Sequence, residues 1–157
     1  MIREEDIQSR LEAAKNEIRG LLGYISKPEG HIYYIDEFGF DDNDRLDARL
    51  EGYGDDVAAY YLDHPCDIGF YFGKRLFWIE NECEDYRGLL GYYVLAESNS
   101  LDPDWGGQWL HRYYEDPDSR DTLFKMKTDP WTFLDNAKLE GIPIRRVIEN
   151  SCIIQLG

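Results

Sequence analysis

Two strand-like segments joined by a two-residue turn constrain the fold of this chain more than any other feature. Residues 67–72 and 75–80 are rich in aromatic and β-branched side chains, and Gly73-Lys74 separates them. A two-residue connection is typical of a β-hairpin, and glycine at its first position suits a type II′ turn. Because both faces of the two segments are apolar, we expect the hairpin to lie centrally in a sheet that is covered on both sides.

Two longer helices are predicted, one near each end of the chain. The first spans residues 3–22 and stops at Gly23. Its apolar stripe at helical spacing consists of Ile7, Leu11, Ala14, Ile18, Leu21 and Leu22. The second follows Asp129, an N-cap candidate, with Pro130 in the first helical position and Gly141 after the final turn. Each helix therefore carries an apolar edge that can pack on the sheet.

The acidic segment that follows residue 35 is predicted to form two short helices. The first covers residues 44–50 and is expected to direct its two leucines, at positions 46 and 50, inward. The second covers residues 55–62, with Asp55 or Asp56 as its N-cap and His64-Pro65 at its end. These helices would place many carboxylates on the surface.

The remaining segments predict strands and one loop. Residues 85–97 fit either a helix or a strand, and two glycines favour a strand at 92–96. The other predicted strands are 31–35, 109–114, 142–148 and 152–156, and residues 98–108 are a predicted surface loop. Together these elements predict one α+β domain over residues 1–157. Its sheet is mostly antiparallel with the Gly73-Lys74 hairpin at the centre, and an amphipathic N-terminal helix and a C-terminal helix pack on it.

The net charge of −15 is concentrated in the middle of the chain. Residues 36–56 hold nine carboxylates against two arginines, and residues 80–121 hold the remaining excess, whereas the two ends balance. Such a surface repels nucleic acid and anionic lipid and attracts cationic proteins. Tyrosine and tryptophan beside carboxylates suit an interface, because rigid aromatic anchors supply contact area while charges orient the encounter. The alternative is that the acidity only maintains solubility and the aromatic side chains cover the core.

The candidate partner-binding residues are therefore selected from the acids of these two segments and the aromatic residues among them. They are Asp36, Glu37, Asp41, Asp42, Asp44, Asp47, Tyr53, Asp55, Asp56, Glu82, Glu84, Asp85, Asp102, Asp104 and Trp105. Glu80, Glu82 and Glu84 alternate and would share one face of a strand. That face would be either a target for a cationic partner or a charged edge that discourages aggregation.

Motifs for catalysis and ligand binding fail on their spacing. Residues 49–54 match the R-x-x-G-x-G string of acyl-CoA-dependent N-acetyltransferases, but two aspartates follow where phosphate would meet a helix N-terminus. The loop at 102–107 resembles the start of a calcium loop, but glycine and tyrosine occupy its fifth and twelfth positions. No second His–Cys pair accompanies His64 and Cys66 at zinc-like spacing. We therefore expect no metal site, no cofactor and no catalytic residue.

Three functions are compatible with these observations. The sequence favours a protein that binds and blocks a basic, nucleic-acid-handling protein, as immunity and anti-defence proteins do, with nucleic-acid mimicry as the stronger form. The second function is a small enzyme with a site around His64, Cys66 and His111, and the third is a subunit or interaction module of a larger assembly. Three irregularly spaced cysteines, the lack of a signal-peptide pattern and the lack of a membrane-length apolar run favour a cytoplasmic location.

Overall fold

A computed structural model describes residues 2–20, 24–26, 32–34, 37–64, 66–82, 91–98 and 120–156. These ranges contain five helices and nine strands. The helices are α1 (Glu4–Arg19), α2 (Asp42–Leu50), α3 (Val57–Asp63), α4 (Pro130–Asn136) and α5 (Ile144–Glu149). The strands are β1 (Tyr24–Ser26), β2 (Ile32–Tyr34), β3 (Ile68–Phe72), β4 (Arg75–Glu82), β5 (Gly91–Ser98), β6 (Arg120–Thr128), β7 (Lys138–Leu139), β8 (Ile142–Pro143) and β9 (Cys152–Leu156).

The main sheet has five antiparallel strands in the order β6-β5-β4-β3-β9. Its β3–β4 hairpin pairs Phe70 with Phe77. Gly73 has a positive φ of 61° and Lys74 does not, as a type II′ turn requires. The predicted turn, the predicted central hairpin and the predicted α+β class are therefore confirmed. Two further pairs, β1–β2 and β7–β8, form small separate sheets.

Each face of the hairpin packs in its own apolar cluster. Phe70 and Phe77 belong to the larger cluster, which also takes in buried side chains of α1, α3, α4 and α5. Trp78 and Leu76 belong to the smaller cluster on the other face, together with Ile18 at the end of α1. Because the two strands are buried on both faces, nearly every residue is apolar, and alternate side chains pack into the two clusters.

Helix α1 confirms the predicted N-terminal amphipathic helix, with Ile7, Leu11, Ala14 and Ile18 buried. It ends at Arg19, three residues earlier than the predicted end at residue 22. Gly20 is the C-cap, and its N–H donates to the carbonyls of Asn16 and Glu17, each at 3.2 Å. Glycine has a low helix propensity, so the earlier glycine is sufficient to end the helix. Residues 21–23 lie outside the described ranges.

Helix α2 corrects the predicted orientation of the two leucines in the acidic segment. Leu46 and Leu50 are 52% and 74% exposed, while Ala48 is fully buried. The small alanine lets α2 lie close to α3, where the Asp44 carboxylate accepts a hydrogen bond from the Tyr61 hydroxyl. Since the leucines lie on the opposite side of the helix from Ala48, they point into solvent.

The C-terminal part confirms some predictions and corrects others. Helix α4 begins as predicted, because Asp129 caps it by accepting from the Thr132 N–H at 2.8 Å. The helix ends at Asn136, however, and Gly141 belongs to the turn of the β7–β8 hairpin. The predicted strand at 142–148 is wrong beyond Pro143, because the buried residues that follow recur at helical spacing in α5.

Besides the hairpin, three strand predictions are confirmed, and three strands were not predicted. Strands β2, β5 and β9 lie at the predicted positions, with β2 and β5 differing in length from the prediction. Strands β1, β6 and β7 were missed. The predicted strand at 109–114 and most of the loop at 98–108 lie outside the described residues.

Candidate partner-binding surface

The acidic segment folds into α2, α3 and the loops around them. Asp41 and Asp44 form a reciprocal capping box at the start of α2. The Asp44 N–H donates to Asp41 Oδ1 at 2.8 Å, and the Asp41 N–H donates to Asp44 Oδ2 at 3.2 Å. Burial raises the pKa of the Asp44 carboxyl group, although the Tyr61 hydroxyl donates to it. The two carboxylates are therefore held in fixed positions at one end of α2.

The arginines of the described residues are all engaged in ion pairs with carboxylates of the same chain. The nine are Arg3, Arg10, Arg19, Arg45, Arg49, Arg75, Arg120, Arg145 and Arg146. Even the two arginines of α2 neutralise acids elsewhere, since Arg45 lies 2.7 Å from Glu149 and Arg49 lies 3.2 Å from Asp55. The guanidinium groups are thus used within the fold.

Six carboxylates around α2 are left without an ion-pair partner among the described residues. They are Glu37, Asp41, Asp42, Asp44, Asp47 and Glu51. All but Asp44 are exposed. This set, which we call the acidic α2 surface, is where the described structure concentrates uncompensated negative charge. The exposed Leu46 and Leu50 lie on the same helix.

An aromatic cluster adjoins the acidic α2 surface. Tyr53 stacks on Trp131 with ring centres 5.8 Å apart and planes 2° apart, and it meets Tyr60 edge-on at 5.4 Å. His64 packs on both tyrosines, at 5.5 and 4.7 Å. The hydrogen bond from Tyr53 to Asp63 raises the pKa of Tyr53 to about 12. Trp131 remains 40% exposed, so the cluster offers apolar area next to charge.

A groove of about 460 Å³ opens at the N-terminal end of the acidic α2 surface. Its apolar lining residues are Phe38, Phe40, Ile153 and Leu156, and its acidic ones are Glu37, Asp41, Asp42 and Asp44. The segment before α2 is anchored by the Gly39 N–H, which donates to the Ser151 carbonyl at 2.9 Å. Gly39 has φ 77°, and a Cβ there would lie 3.0 Å from the Glu149 carbonyl, so only glycine fits.

The predicted partner-binding residues fall into three groups. Glu37, Asp41, Asp42, Asp44 and Asp47 come together on the acidic α2 surface, next to Tyr53. Two predicted residues are instead engaged within the fold, because Asp55 pairs with Arg49 and Asp56 pairs with Arg145 at 3.0 Å while capping α3. Only the backbone of Glu82 is described. The remaining predicted residues lie outside the described ranges: Asp36, Glu84, Asp85, Asp102, Asp104 and Trp105.

Glu80 behaves differently from the exposed edge that its alternation suggested. Its side chain is buried in the sheet and lies 3.6 Å from the Arg120 guanidinium. A carboxylate buried in this way is not presented to a partner.

The apolar components of this surface were not predicted from the sequence. The groove needs Ile153 and Leu156 from the last strand, more than a hundred residues away from Phe38 in the sequence. No short-range pattern links them. The sequence did carry a signal for the exposure of Leu46 and Leu50, because aspartates and arginines occupy most of the remaining positions of α2.

The alternative enzymatic site gains no support from the described geometry. The Cys66 thiol donates to the His64 backbone carbonyl at 3.2 Å, and the His64 Nδ1 lies 2.7 Å from the Tyr60 carbonyl. Burial raises the pKa of the Cys66 thiol, and the nearby Asp67 raises it further, which is the opposite of activation. His111 lies outside the described residues.

The R-x-x-G-x-G string is a turn between two helices. Its arginine pairs with Asp55, and the Asp56 carboxylate accepts from the Ala59 N–H at the start of α3. A carboxylate therefore occupies the position where a phosphate would bind. Within the described residues, no group of histidine, cysteine and acidic side chains is arranged to hold a metal ion.

Comparisons with known proteins add no relatives. No protein family, curated protein or solved structure matches the chain. Among the residues that the structure describes, no helix is long and apolar enough to cross a membrane.

Proposed function

We propose that this chain binds a basic, nucleic-acid-handling protein through the acidic α2 surface and blocks its cationic site. The observation that carries the proposal is the contrast between arginines that are all paired within the described fold and six carboxylates around α2 that are not. A basic protein supplies the missing counter-charges. An immunity or anti-defence role is the class of function that such blocking serves.

The exposed leucines strengthen the proposal, because charge alone gives speed and orientation more than affinity. Leu46 and Leu50 are one helical turn apart, and each is more than half exposed. Apolar side chains of this kind, surrounded by carboxylates, can be desolvated at the centre of an interface while the charges form its rim. Nucleic acid itself is a poor ligand, since its phosphates are repelled by the same carboxylates.

The proposal is tested by capture from a native lysate at low salt, followed by elution at high salt and identification of the retained protein. We expect a basic protein that salt releases, because exposed charges are screened over about 8 Å at physiological ionic strength. The captured protein is then purified, and its binding to nucleic acid is measured with and without this chain. Competition with nucleic acid is the expected result.

Matched variants locate the surface. D42N/D47N removes two charges from the acidic α2 surface, and E5Q/D121N removes two exposed charges elsewhere. We expect the first to weaken capture and the second to leave it nearly unchanged. Equal effects of the two variants, or the absence of any basic protein at low salt, would contradict the proposal.

A subunit or interaction module of a larger assembly is the second candidate, and the exposed leucines favour it. This function differs from the first in its response to salt. If L46A/L50A abolishes capture while D42N/D47N and high salt do not, the interface is apolar and the second candidate replaces the first.

A further inference from the structure

The groove beside α2 combines an apolar wall with an acidic rim. Phe38, Phe40, Ile153 and Leu156 supply the apolar surface, and Glu37, Asp41, Asp42 and Asp44 supply the carboxylates. Its volume of about 460 Å³ lies in the range of sites that take a small ligand or a long side chain with its flanking backbone. The groove is thus lined by both apolar and acidic side chains.

The local structure holds this groove open in the described fold. Phe38 packs against the smaller core cluster and Phe40 is buried in the larger one, so the two rings diverge on either side of Gly39. The capping box fixes Asp41 and Asp44 relative to each other. A ligand therefore meets side chains that are already positioned, which reduces the entropy cost of binding.

The chemistry of the lining selects one kind of occupant. Four carboxylates exclude phosphate and other anions, and the apolar walls do not suit a hydrated metal ion. An arginine side chain fits both parts, because its methylene stem packs on apolar surface while its planar guanidinium binds carboxylates with two parallel hydrogen bonds. The Phe38 ring is already covered by cations of the chain itself, since the Arg19 guanidinium and the Lys15 Nζ lie 5.2 and 5.7 Å from its centre, so an incoming side chain packs on the other apolar residues.

We infer that the groove binds an arginine side chain carried by an extended segment of the basic partner. The stem lies on Ile153 and Leu156, and the guanidinium reaches Glu37 and Asp42, which have no ion-pair partner among the described residues. This inference rests on the proposed function, and it names the side chain that the partner must supply. Lysine is a weaker occupant, because its point charge cannot form the bidentate contact.

Short labelled peptides test the inference with the purified full chain. Three peptides of identical Gly-Ser flanks carry arginine, lysine or citrulline at the central position, and fluorescence anisotropy measures their binding at low salt. We expect the arginine peptide to bind about tenfold more tightly than the lysine peptide and the neutral citrulline peptide to bind most weakly. Equal binding of the arginine and citrulline peptides, or of the arginine and lysine peptides, would overturn the inference.

Two double variants separate the groove from general acidity. E37Q/D42N removes two carboxylates that line the groove, and D47N/E51Q removes two carboxylates of the acidic α2 surface that do not line it. We expect a loss of about tenfold for the first and less than about twofold for the second, with unchanged thermal melts. Equal losses would show that net charge alone attracts the peptide, and the inference would fail.

The two proposals fail in different ways. If the chain captures a basic protein and E37Q/D42N leaves that capture unchanged, the groove inference is wrong and the proposed function stands. If the arginine peptide binds as expected but no basic protein is captured, the groove inference stands as a peptide site and the proposed function is wrong.

Discussion

Asp56 provides the most direct test of which acidic residues hold the fold together. Its Oδ1 accepts from the Ala59 N–H at 3.4 Å and thereby caps α3. Both carboxylate oxygens also accept from the Arg145 guanidinium, at 3.0 and 3.3 Å. Asp56 and Arg145 are 26% and 33% exposed, so the pair is partly shielded from water. We therefore predict that Asp56→Ala destabilises the protein.

The expected loss follows from the two contacts. Loss of an N-cap costs about 1 kcal/mol. A partly exposed ion pair contributes about 0.5 to 1 kcal/mol, and Arg145 keeps Asp135 as a second partner, so little is added for a stranded charge. D56A should therefore lower the free energy of unfolding by about 2 kcal/mol, whereas D56N, which can still cap α3, should lower it by about half as much.

Asp55 is the matched control for this measurement. It is the neighbouring aspartate, but its side chain is 84% exposed and pairs with an Arg49 side chain that is 59% exposed. D55A should change the free energy of unfolding by less than about 0.5 kcal/mol. Urea unfolding, followed by tryptophan fluorescence and far-UV circular dichroism, gives both values. Equal losses in D55A and D56A would refute the reasoning, because the cap and the Arg145 pair are unique to Asp56.

Three further predictions concern the sheet, acid stability and the free thiol. Gly69→Ala should destabilise the fold by about 1 to 3 kcal/mol and alter the near-UV spectrum of Trp78, because the added Cβ would lie 2.5 Å from that ring; an unchanged midpoint in urea would contradict this close packing. The hydrogen bond from the Thr132 N–H lowers the pKa of Asp129 below its usual 3.8, so its charge stabilises the fold fully above pH 3.8, and that contribution is lost as the pH falls through the lower, folded value. The difference in unfolding free energy between the wild type and D129N should shrink over that acid range, and a difference independent of pH would contradict the assignment. Iodoacetamide should label Cys66 more slowly at pH 8 than a cysteine in an unfolded peptide, since burial raises the thiol pKa, and mass spectrometry would reveal faster labelling if the thiol were activated.

The parts of the fold that the sequence predicted are those encoded over short distances. The β3–β4 hairpin is defined by two apolar runs and a turn glycine, and α1 by a stripe of four buried residues. The start of α4 follows from Asp129 and Pro130, which act within one helical turn. In each case the residues that determine the element lie inside it, so no knowledge of the rest of the chain is needed.

The missed elements differ in whether the local sequence carried a signal for them. Strand β6 carried a usable signal, because Phe124 and Met126 alternate with exposed residues, and the alternation marks an outer strand with one face on the core. The end of α4 had no comparable local signal. Residues 138–140 could continue the helix by propensity, yet Leu139 and Ile142 are buried in a hairpin that packs with the larger core cluster. Tertiary packing therefore outweighs local propensity there.

The sequence predicted the negative charge of the candidate site but not which side chains line it. Counting charges located the acidic segment, but it could not show which carboxylates are neutralised, because the partner arginines are far apart in sequence. Arg145 and Asp56 are 89 residues apart, and Arg45 and Glu149 are 104 residues apart. The groove was missed for the same reason, because two of its apolar lining residues, Ile153 and Leu156, come from β9.

The acidic residues of the described chain therefore divide into two classes: those that contact an arginine or a helix terminus within the fold, and those that form no such ion pair. Asp56, Asp129 and Glu149 each satisfy a helix terminus or an arginine, and replacing them should cost stability wherever the protein is used. Asp42 and Asp47 make no such ion pair among the described residues, and they flank leucines that folding leaves in water. Solubility accounts for the exposed carboxylates, whereas two exposed leucines one helical turn apart supply apolar area that a partner could cover. Under the proposed function, the leucines become buried in the interface and the carboxylates meet cations of the partner.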